Sequence, residues 1–385
     1  MFTREPTNLG RQAELDITKT LCIFFMILLH LFEDIFLFEE EVNSGFGNFL
    51  MYYLAGFTGA GTFMLCMGLG FGYTRHNDPK DFIKRGGIIF GLSYLLNFLR
   101  AFTLIFFVSP HLGEEMGSYM ITYSLFNVDI MQFAGLALMV FGLFKLAKMK
   151  PWHMFLIAFS LSLGASLFIL LHGQVTTGNA IADGLLSLLF PMWFLEEGSF
   201  VSFFSLVCYL IFPITGYCIS FYYKKLKNKN IFFGIALGLA VITIAIYVLI
   251  NPYEKQAGLF RAYDIGYYHM YTWDALVDII TSTGLIALCY FASLILPKVI
   301  LSACHDISKN INRVYCISWV ILLNGIGIYY AYIYGNQIEN PAPIPDWLII
   351  ILGITVFFIS WLIAHYYTKV KEIIKAKKRT EANPA

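Results

Sequence analysis

Residues Leu15 to His30 read LDITKTLCIFFMILLH, an apolar stretch that carries Asp16, Lys19 and His30. Together with the apolar residues that follow, this stretch is long enough to predict a helix that crosses a membrane. An ionisable side chain in hydrocarbon costs about 2.5 to 3.5 kcal/mol on insertion scales, unless a partner or a cavity compensates. His30 therefore indicates either a polar cavity within the membrane or a hydrogen bond to a neighbouring helix.

The whole chain has the composition of an integral membrane protein. Of its 385 residues, 58% are hydrophobic and only 13% are charged, and the mean hydropathy is +0.68; soluble domains are far more polar. No basic run is interleaved with aromatic residues, so nucleic acid is not expected as a partner. The seven cysteines form no CxxC pair, which favours free thiols over a disulfide framework or a metal site. The lipid bilayer is the first expected partner.

Ten apolar runs reach the length of about 20 residues that crosses a bilayer. They cover residues 17–38, 48–73, 86–109, 123–146, 152–172, 201–223, 230–250, 273–296, 314–334 and 346–367. A further run at 184–195 is too short to cross and is interpreted as re-entrant or interfacial. The predicted fold is an all-α polytopic membrane protein with about ten transmembrane helices plus this short helix.

The positions of the basic residues predict the orientation of the chain. With the N-terminus inside, every Lys and Arg except Arg100, Lys255 and Arg261 falls on the cytoplasmic side. Both termini are therefore expected to be cytoplasmic. We divide the chain into a single transmembrane domain over residues 1–368 and a basic cytoplasmic tail over residues 369–385, which suits contact with anionic lipids.

Several ionisable side chains share one depth in the outer half of the predicted membrane region. His30 lies about thirteen residues into the first span, roughly 20 Å from the cytoplasmic face, with Glu33 one turn further out. Arg100 reaches nearly the same depth. The members that enter from the outside are Asp129, Gln132, Asp274 and Asp278. Lipid would not tolerate such a set, so we predict that it faces a protein-lined cavity.

One face of the first helix connects this cavity to the cytoplasm. Lys19 and His30 are separated by about three helical turns and project from the same face, roughly 16 Å apart along the axis. An anionic ligand that arrives from the cytosol would first meet the basic residues at this mouth. These residues are Lys19, Arg75, Lys84 and Arg85.

Several stretches, in order, resemble the heparan-α-glucosaminide N-acetyltransferase family, which is related to the acyltransferase-three superfamily. The first is the opening stretch, in which a Leu-Asp pair precedes a basic residue and then a histidine. The others read AGFTGAGTFMLCMGLGFGY, KRGGIIFGLSYLLNF, VDIMQFAGLALMVFGL, FPMWF and FPITGYCISFYYKK. The resemblance extends from Glu14 to Lys225. The basic position in the superfamily is usually arginine, whereas Lys19 keeps the charge and loses the bidentate fork.

The resemblance implies a transmembrane acyltransferase. Its co-substrate would be acyl-CoA on the cytoplasmic side, with acetyl-CoA as the expected donor. The acceptor would be a carbohydrate or glycolipid hydroxyl or amine on the extracytoplasmic side, and the essential histidine of the family corresponds to His30. The expected location is the bacterial plasma membrane, and a homodimer is left open.

The candidate catalytic residues are His30, Glu33, Arg100 and Asp129. Neutral imidazole is a base of suitable strength for acyl transfer near neutral pH. Glu33 or Asp129 would hold its tautomer, and Arg100 would stabilise a developing oxyanion or bind the acceptor. Whether His30 acts as a base or carries the acyl group itself stays open.

Three alternatives compete with this interpretation. His30 could serve only as a hydrogen-bonding residue between helices, and Arg100 could pair structurally with Asp129. The same charged cluster also suits a proton-coupled small-molecule transporter, although no matching pair of interrupted segments is present and the polar layer lies off centre. The glycines of the second run are predicted to allow close helix packing rather than to form a ligand loop. They are Gly56, Gly59, Gly61, Gly68, Gly70 and Gly72.

Overall fold

The computed structural model describes residues 2–35, 59–74, 77–172, 177, 179–190, 202–250, 271–338 and 344–382. Within these ranges the chain is helical and forms no β-strand. The helices in the first half are α1 (Ala13–Ile35), α2 (Ala60–Tyr73), α3 (Pro79–Arg100), α4 (Glu114–Phe126), α5 (Ile130–Leu146), α6 (Pro151–His172) and α7 (Ala180–Ser187). Those in the second half are α8 (Leu206–Tyr209), α9 (Ile211–Tyr223), α10 (Lys229–Ile250), α11 (Thr272–Ile295), α12 (Lys298–Lys309), α13 (Ile311–Gly335) and α14 (Asp346–Ala382).

The helices confirm an all-α polytopic membrane fold. In the described part of the chain, eight segments are long and apolar enough to cross a membrane, and α2 and α5 are shorter apolar helices. Each of these ten segments overlaps one predicted span. All seven cysteines lie in the described ranges and are free thiols.

One predicted span and the predicted short run differ in detail from the helices observed. The span predicted at 123–146 is divided between α4 and α5, because Asp129 ends the intervening segment as the N-cap of α5. Asp129 Oδ1 accepts from the Ile130 amide at 2.6 Å, and the Asp129 amide donates to Gln132 Oε1 at 3.1 Å, which completes a capping box. The short run at 184–195 contributes its first residues to α7, and its residues from 191 onward lie outside the described ranges.

Small residues bring helices α2 and α9 into backbone contact. A Cβ added at Gly68 would overlap the Pro213 carbonyl, and one at Gly216 would overlap the Leu65 carbonyl. Gly61 and Gly72 are also covered by neighbouring side chains, whereas a Cβ at Gly70 would meet open space. The remaining two predicted glycines are Gly59, which caps α2, and Gly56, which lies outside the described ranges. Close packing is therefore confirmed for Gly61, Gly68 and Gly72.

Helix α1 lies at the centre of the bundle. It packs against α2, α11, α12, α13 and α14. The segment before it is fixed to the turn after α9, where the Thr7 and Asn8 amides donate to the Lys224 carbonyl at 2.8 and 2.9 Å. These bonds satisfy a backbone carbonyl that the end of a helix leaves unpaired. The N-terminal segment and the turn after α9 therefore lie at the same end of the bundle.

Candidate active site

His30 lies on α1 beside the carboxylate of Glu33, one turn further along the helix. The distance from His30 Nδ1 to Glu33 Oε2 is 3.2 Å, and the two side chains are 24% and 29% exposed. A neutral imidazole that donates from Nδ1 to this carboxylate keeps its lone pair on Nε2. Glu33 therefore orients the imidazole so that Nε2 can act as a base.

Trp319 of α13 joins His30 to the second half of the site. Its ring centroid lies 4.4 Å from that of His30, and the guanidinium carbon of Arg100 lies 4.6 Å from the Trp319 ring. The indole is 6% exposed. His30 and Arg100 thus contact the same buried aromatic side chain, although they lie on different helices, α1 and α3, and 70 residues apart in sequence.

Arg100 is held by acceptors in the segment between α4 and α5. Its Nη1 donates to Asp129 Oδ2 at 2.7 Å and its Nη2 donates to Asn127 Oδ1 at 2.9 Å. Tyr315 also donates to Asp129 Oδ2, at 3.0 Å. Side-chain exposure is only 5% for Arg100 and 13% for Asp129. This geometry fixes the direction of the guanidinium and neutralises a buried positive charge.

The two carboxylates of the site consequently have different roles. Asp129 accepts from Arg100, Tyr315 and the start of α5, so its oxygens are already engaged. Although His30 lies within electrostatic range of Asp129, the carboxylate in contact with its imidazole is Glu33. Of the two residues considered for holding the His30 tautomer, the geometry therefore favours Glu33.

The helix that carries Arg100 changes its geometry directly after this residue. Residues Leu104–Val108 form a π-helical turn, a feature that is frequent at functional sites. Asn324 of α13 stabilises the change: its Oδ1 accepts from the Thr103 amide at 3.0 Å and its Nδ2 donates to the Leu99 carbonyl at 2.8 Å. The same helix that places Trp319 against Arg100 therefore also holds the backbone on which Arg100 is mounted.

The residues predicted at the cytoplasmic mouth are spread over separate helices. Lys19 is half-buried on α1, while Lys84 and Arg85 are exposed near the start of α3. Arg75 lies outside the described ranges. Within those ranges, no hydrogen bond or ion pair connects the other three residues to one another. The structure thus brings the four candidate catalytic residues together but does not join the mouth residues into one cluster.

Two further lysines lie near the start of α3. Lys224 donates to the Gly72 carbonyl, and burial lowers its pKa. Lys145 bonds to Asn77 and its ammonium lies 5.2 Å from the Phe82 ring. These side chains place additional positive charge at this end of the bundle.

Sequence reasoning missed Trp319, Tyr315, Asn127 and Asn324. Tyr315 and Trp319 are four residues apart and share a helix face, but aromatic residues are too common in this chain to mark a site. Asn127 stands two residues before Asp129, in the segment FNVD. The capping pattern from Asp129 to Gln132 was a signal that could have placed this segment at a helix start.

A second buried polar group lies between α2 and α11. Asp278 is 4% exposed and accepts from Ser282 at 3.0 Å, while Ser282 and Thr62 share a hydrogen bond of 2.6 Å. Across the described ranges, no group of three or more His, Cys, Asp or Glu side chains could hold a metal ion.

The fold and the site define a multi-pass integral membrane protein with an ionisable cluster held among its helices. The family model described as heparan-alpha-glucosaminide N-acetyltransferase, catalytic, matches residues 11–252. This match covers more than half of the chain, so the chain belongs to this family of membrane acetyltransferases. No curated protein and no solved structure gives a significant match to it. The matched region includes His30, Glu33, Arg100 and Asp129, while Tyr315 and Trp319 lie beyond it.

Proposed function

We propose that this chain transfers an acetyl group from cytoplasmic acetyl-CoA to a carbohydrate hydroxyl or amine on the extracytoplasmic side, with His30 as the general base. The observation that carries this proposal is the contact of 3.2 Å between His30 Nδ1 and Glu33 Oε2. The two side chains stay partly exposed, so substrate can approach them, while Arg100 beside them is almost fully buried. Family membership supports acetyl transfer over proton-coupled transport, which the same cluster would also suit.

The proposed reaction is a direct transfer between two bound substrates. The acceptor oxygen or nitrogen forms a bond with the thioester carbonyl carbon while Nε2 of His30 takes the proton of the acceptor. The carbon–sulfur bond then breaks, and the imidazolium returns that proton to the departing thiolate, so CoA leaves as a thiol. Glu33 stabilises the imidazolium between these two steps.

The donor is proposed to approach through the basic end of the bundle. Lys19, Arg75, Lys84 and Arg85 would attract the phosphates of CoA, aided by Lys145 and Lys224. Because several of these side chains are exposed, each would contribute modestly, and their main effect would be on donor binding. No metal ion takes part in this proposal.

His30→Gln tests the proposal because glutamine can form hydrogen bonds but cannot act as a base near neutral pH. In proteoliposomes supplied with acetyl-CoA and a panel of sugars and amino sugars, we expect this variant to lose about 100-fold or more of the transfer rate. His365→Gln is the matched control. His365 Nδ1 also contacts a carboxylate, Asp306 Oδ2, at 2.8 Å, but this pair lies on α14 and α12 and not among the candidate catalytic residues.

Transfer at the wild-type rate by His30→Gln would show that His30 only packs between helices. Uptake of a solute without consumption of acetyl-CoA would favour the transporter. Incubation with radiolabelled acetyl-CoA in the absence of acceptor separates direct transfer from an acyl carrier. Label that remains on the wild-type protein after denaturation, and is lost in His30→Gln, would replace the base with an acyl-histidine intermediate.

A further inference from the structure

The indole nitrogen of Trp319 has no hydrogen-bond acceptor in the described part of the chain. The nitrogen is buried, and the N–H of tryptophan can only donate. The other buried side-chain atoms without a partner there are hydroxyl oxygens. A buried donor without a partner costs about 1 to 3 kcal/mol, so native structures retain few of them.

The position of this indole N–H indicates a role in the reaction. Trp319 contacts His30, at 4.4 Å between ring centroids, and also Arg100, whose guanidinium carbon lies 4.6 Å from the ring centroid. A thioester carbonyl attacked with the help of His30 must lie within reach of the same indole. Negative charge develops on the carbonyl oxygen during that attack, and a fixed donor stabilises it.

We propose that Trp319 is a catalytic residue whose indole N–H donates a hydrogen bond to the carbonyl oxygen of the transferred acetyl group. The inference rests on the proposed acetyl transfer. The oxygen approaches from the side where His30 and Glu33 are still partly exposed. Trp319 keeps its proton throughout, while His30 moves the proton of the acceptor. The positive charge of Arg100 lies on the same ring and adds to the stabilisation of the oxyanion.

Trp361 provides the contrast within the same chain. Its indole nitrogen donates to Asp306 Oδ2 at 2.7 Å, so the N–H of Trp361 has a partner in the folded protein. Burial opposes ionisation of Asp306, but the hydrogen bonds from Trp361 and His365 lower the pKa of this carboxyl. One indole therefore stabilises the fold, whereas the other has a donor available for a substrate.

Trp319→Phe in the full-length protein removes the N–H and keeps an aromatic face for Arg100 and His30. We expect the saturated rate of acetyl transfer to fall about 100-fold, with little change in KM for acetyl-CoA, because the bond strengthens in the transition state. Trp361→Phe should keep the wild-type rate and lower the melting temperature. Trp319→Phe loses no hydrogen bond within the protein, so a fall in its melting temperature would report the lost packing of the buried indole and not a lost hydrogen bond.

A second measurement does not depend on turnover. In protein labelled with ¹⁵N-tryptophan, the indole resonance missing from Trp319→Phe belongs to Trp319. Binding of a ketone analogue of acetyl-CoA, in which a methylene group replaces the thioester sulfur, should shift this proton downfield and leave that of Trp361 unchanged. A wild-type rate in Trp319→Phe, or an unshifted Trp319 resonance at saturating analogue, would overturn the proposal. A wild-type protein that binds the analogue with this shift yet transfers no acetyl group would contradict the proposed function instead.

Discussion

Arg100 and Asp129 form a buried ion pair whose members depend on each other. Either partner alone would leave a charge without compensation, which costs about 3 to 5 kcal/mol in buried sites. Arg100→Met and Asp129→Asn should each lower the free energy of unfolding by an amount in this range. The double variant should lose less than the sum, because it leaves neither charge in the interior. Denaturation of the purified protein in mixed micelles measures all three differences.

Strict additivity of the two substitutions would contradict this coupling. Tyr315→Phe is a useful control, because it removes one hydrogen bond of 3.0 Å to Asp129 and no charge. Tyr315→Phe should lower the free energy of unfolding by about 0.5 to 1.5 kcal/mol, the net value of a typical hydrogen bond. A larger loss than that of Arg100→Met would show that the tyrosine, rather than the ion pair, dominates this part of the site.

Helices α2 and α9 pack so closely that their contact admits no side chain at two positions. Gly68→Ala places a methyl group against the Pro213 carbonyl, and we expect a loss of about 1 to 3 kcal/mol, as for other overpacked interiors. Gly70→Ala lies on the same helix but meets open space. This control should be neutral or stabilising, because alanine favours helix by about 1 kcal/mol over glycine. Melting temperatures of the two variants give the comparison.

A larger loss of stability in Gly70→Ala than in Gly68→Ala would mean that α2 and α9 are further apart than in this structure. An equal loss in both variants would indicate that glycine serves helix flexibility and not packing. The distinction matters for the site, because α2 also packs against α1, the helix that carries His30.

The described N-terminal and C-terminal segments lie at the same end of the molecule. The N-terminal segment is bonded to the turn after α9, and Lys309 of α12 contacts Glu372 of α14 at 3.1 Å. Since α12 also packs against α1, these segments share one side, and the basic residues predict that this side is cytoplasmic. Single cysteines at Lys227 and Lys375 should therefore react only with reagents that enter the cell.

A cysteine at Glu115, at the start of α4 beyond the far end of α3, should react from outside. The native cysteines are replaced first. The single cysteines are then introduced into a cysteine-free variant that keeps its activity. Labelling of Lys227→Cys and Lys375→Cys from opposite sides would contradict the arrangement described here.

The fold was predictable from sequence because hydrocarbon thickness sets a minimum length for each apolar run. The site was predictable only in part. Depth along a helix follows from residue number, and this placed His30, Glu33 and Arg100 in one layer. The direction in which a side chain points around the helix depends on packing. Depth alone therefore left open whether Glu33 or Asp129 is the partner of His30, and whether Arg100 pairs with Asp129.

Trp319 shows most clearly which part of the site the sequence alone could not predict. It carries no charge, and aromatic residues make up 17% of this chain, so nothing in its sequence context separated it from other buried rings. It also lies beyond the region that matches the family. Only the structure reveals that Trp319 contacts both His30 and Arg100.

The length of α14 has a mechanical consequence for the C-terminus. Its 37 residues span about 55 Å at 1.5 Å per residue, whereas the hydrocarbon layer measures about 30 Å. An unbent helix that starts at one edge of that layer projects roughly 25 Å past the other. Electrostatic attraction to headgroups decays over about 8 Å in physiological salt, so Lys369 and Lys371 can anchor to lipid while Lys375 and Lys377 extend into water. A fluorophore attached at Lys377 would therefore be held by a rigid helix and report the tilt of that helix.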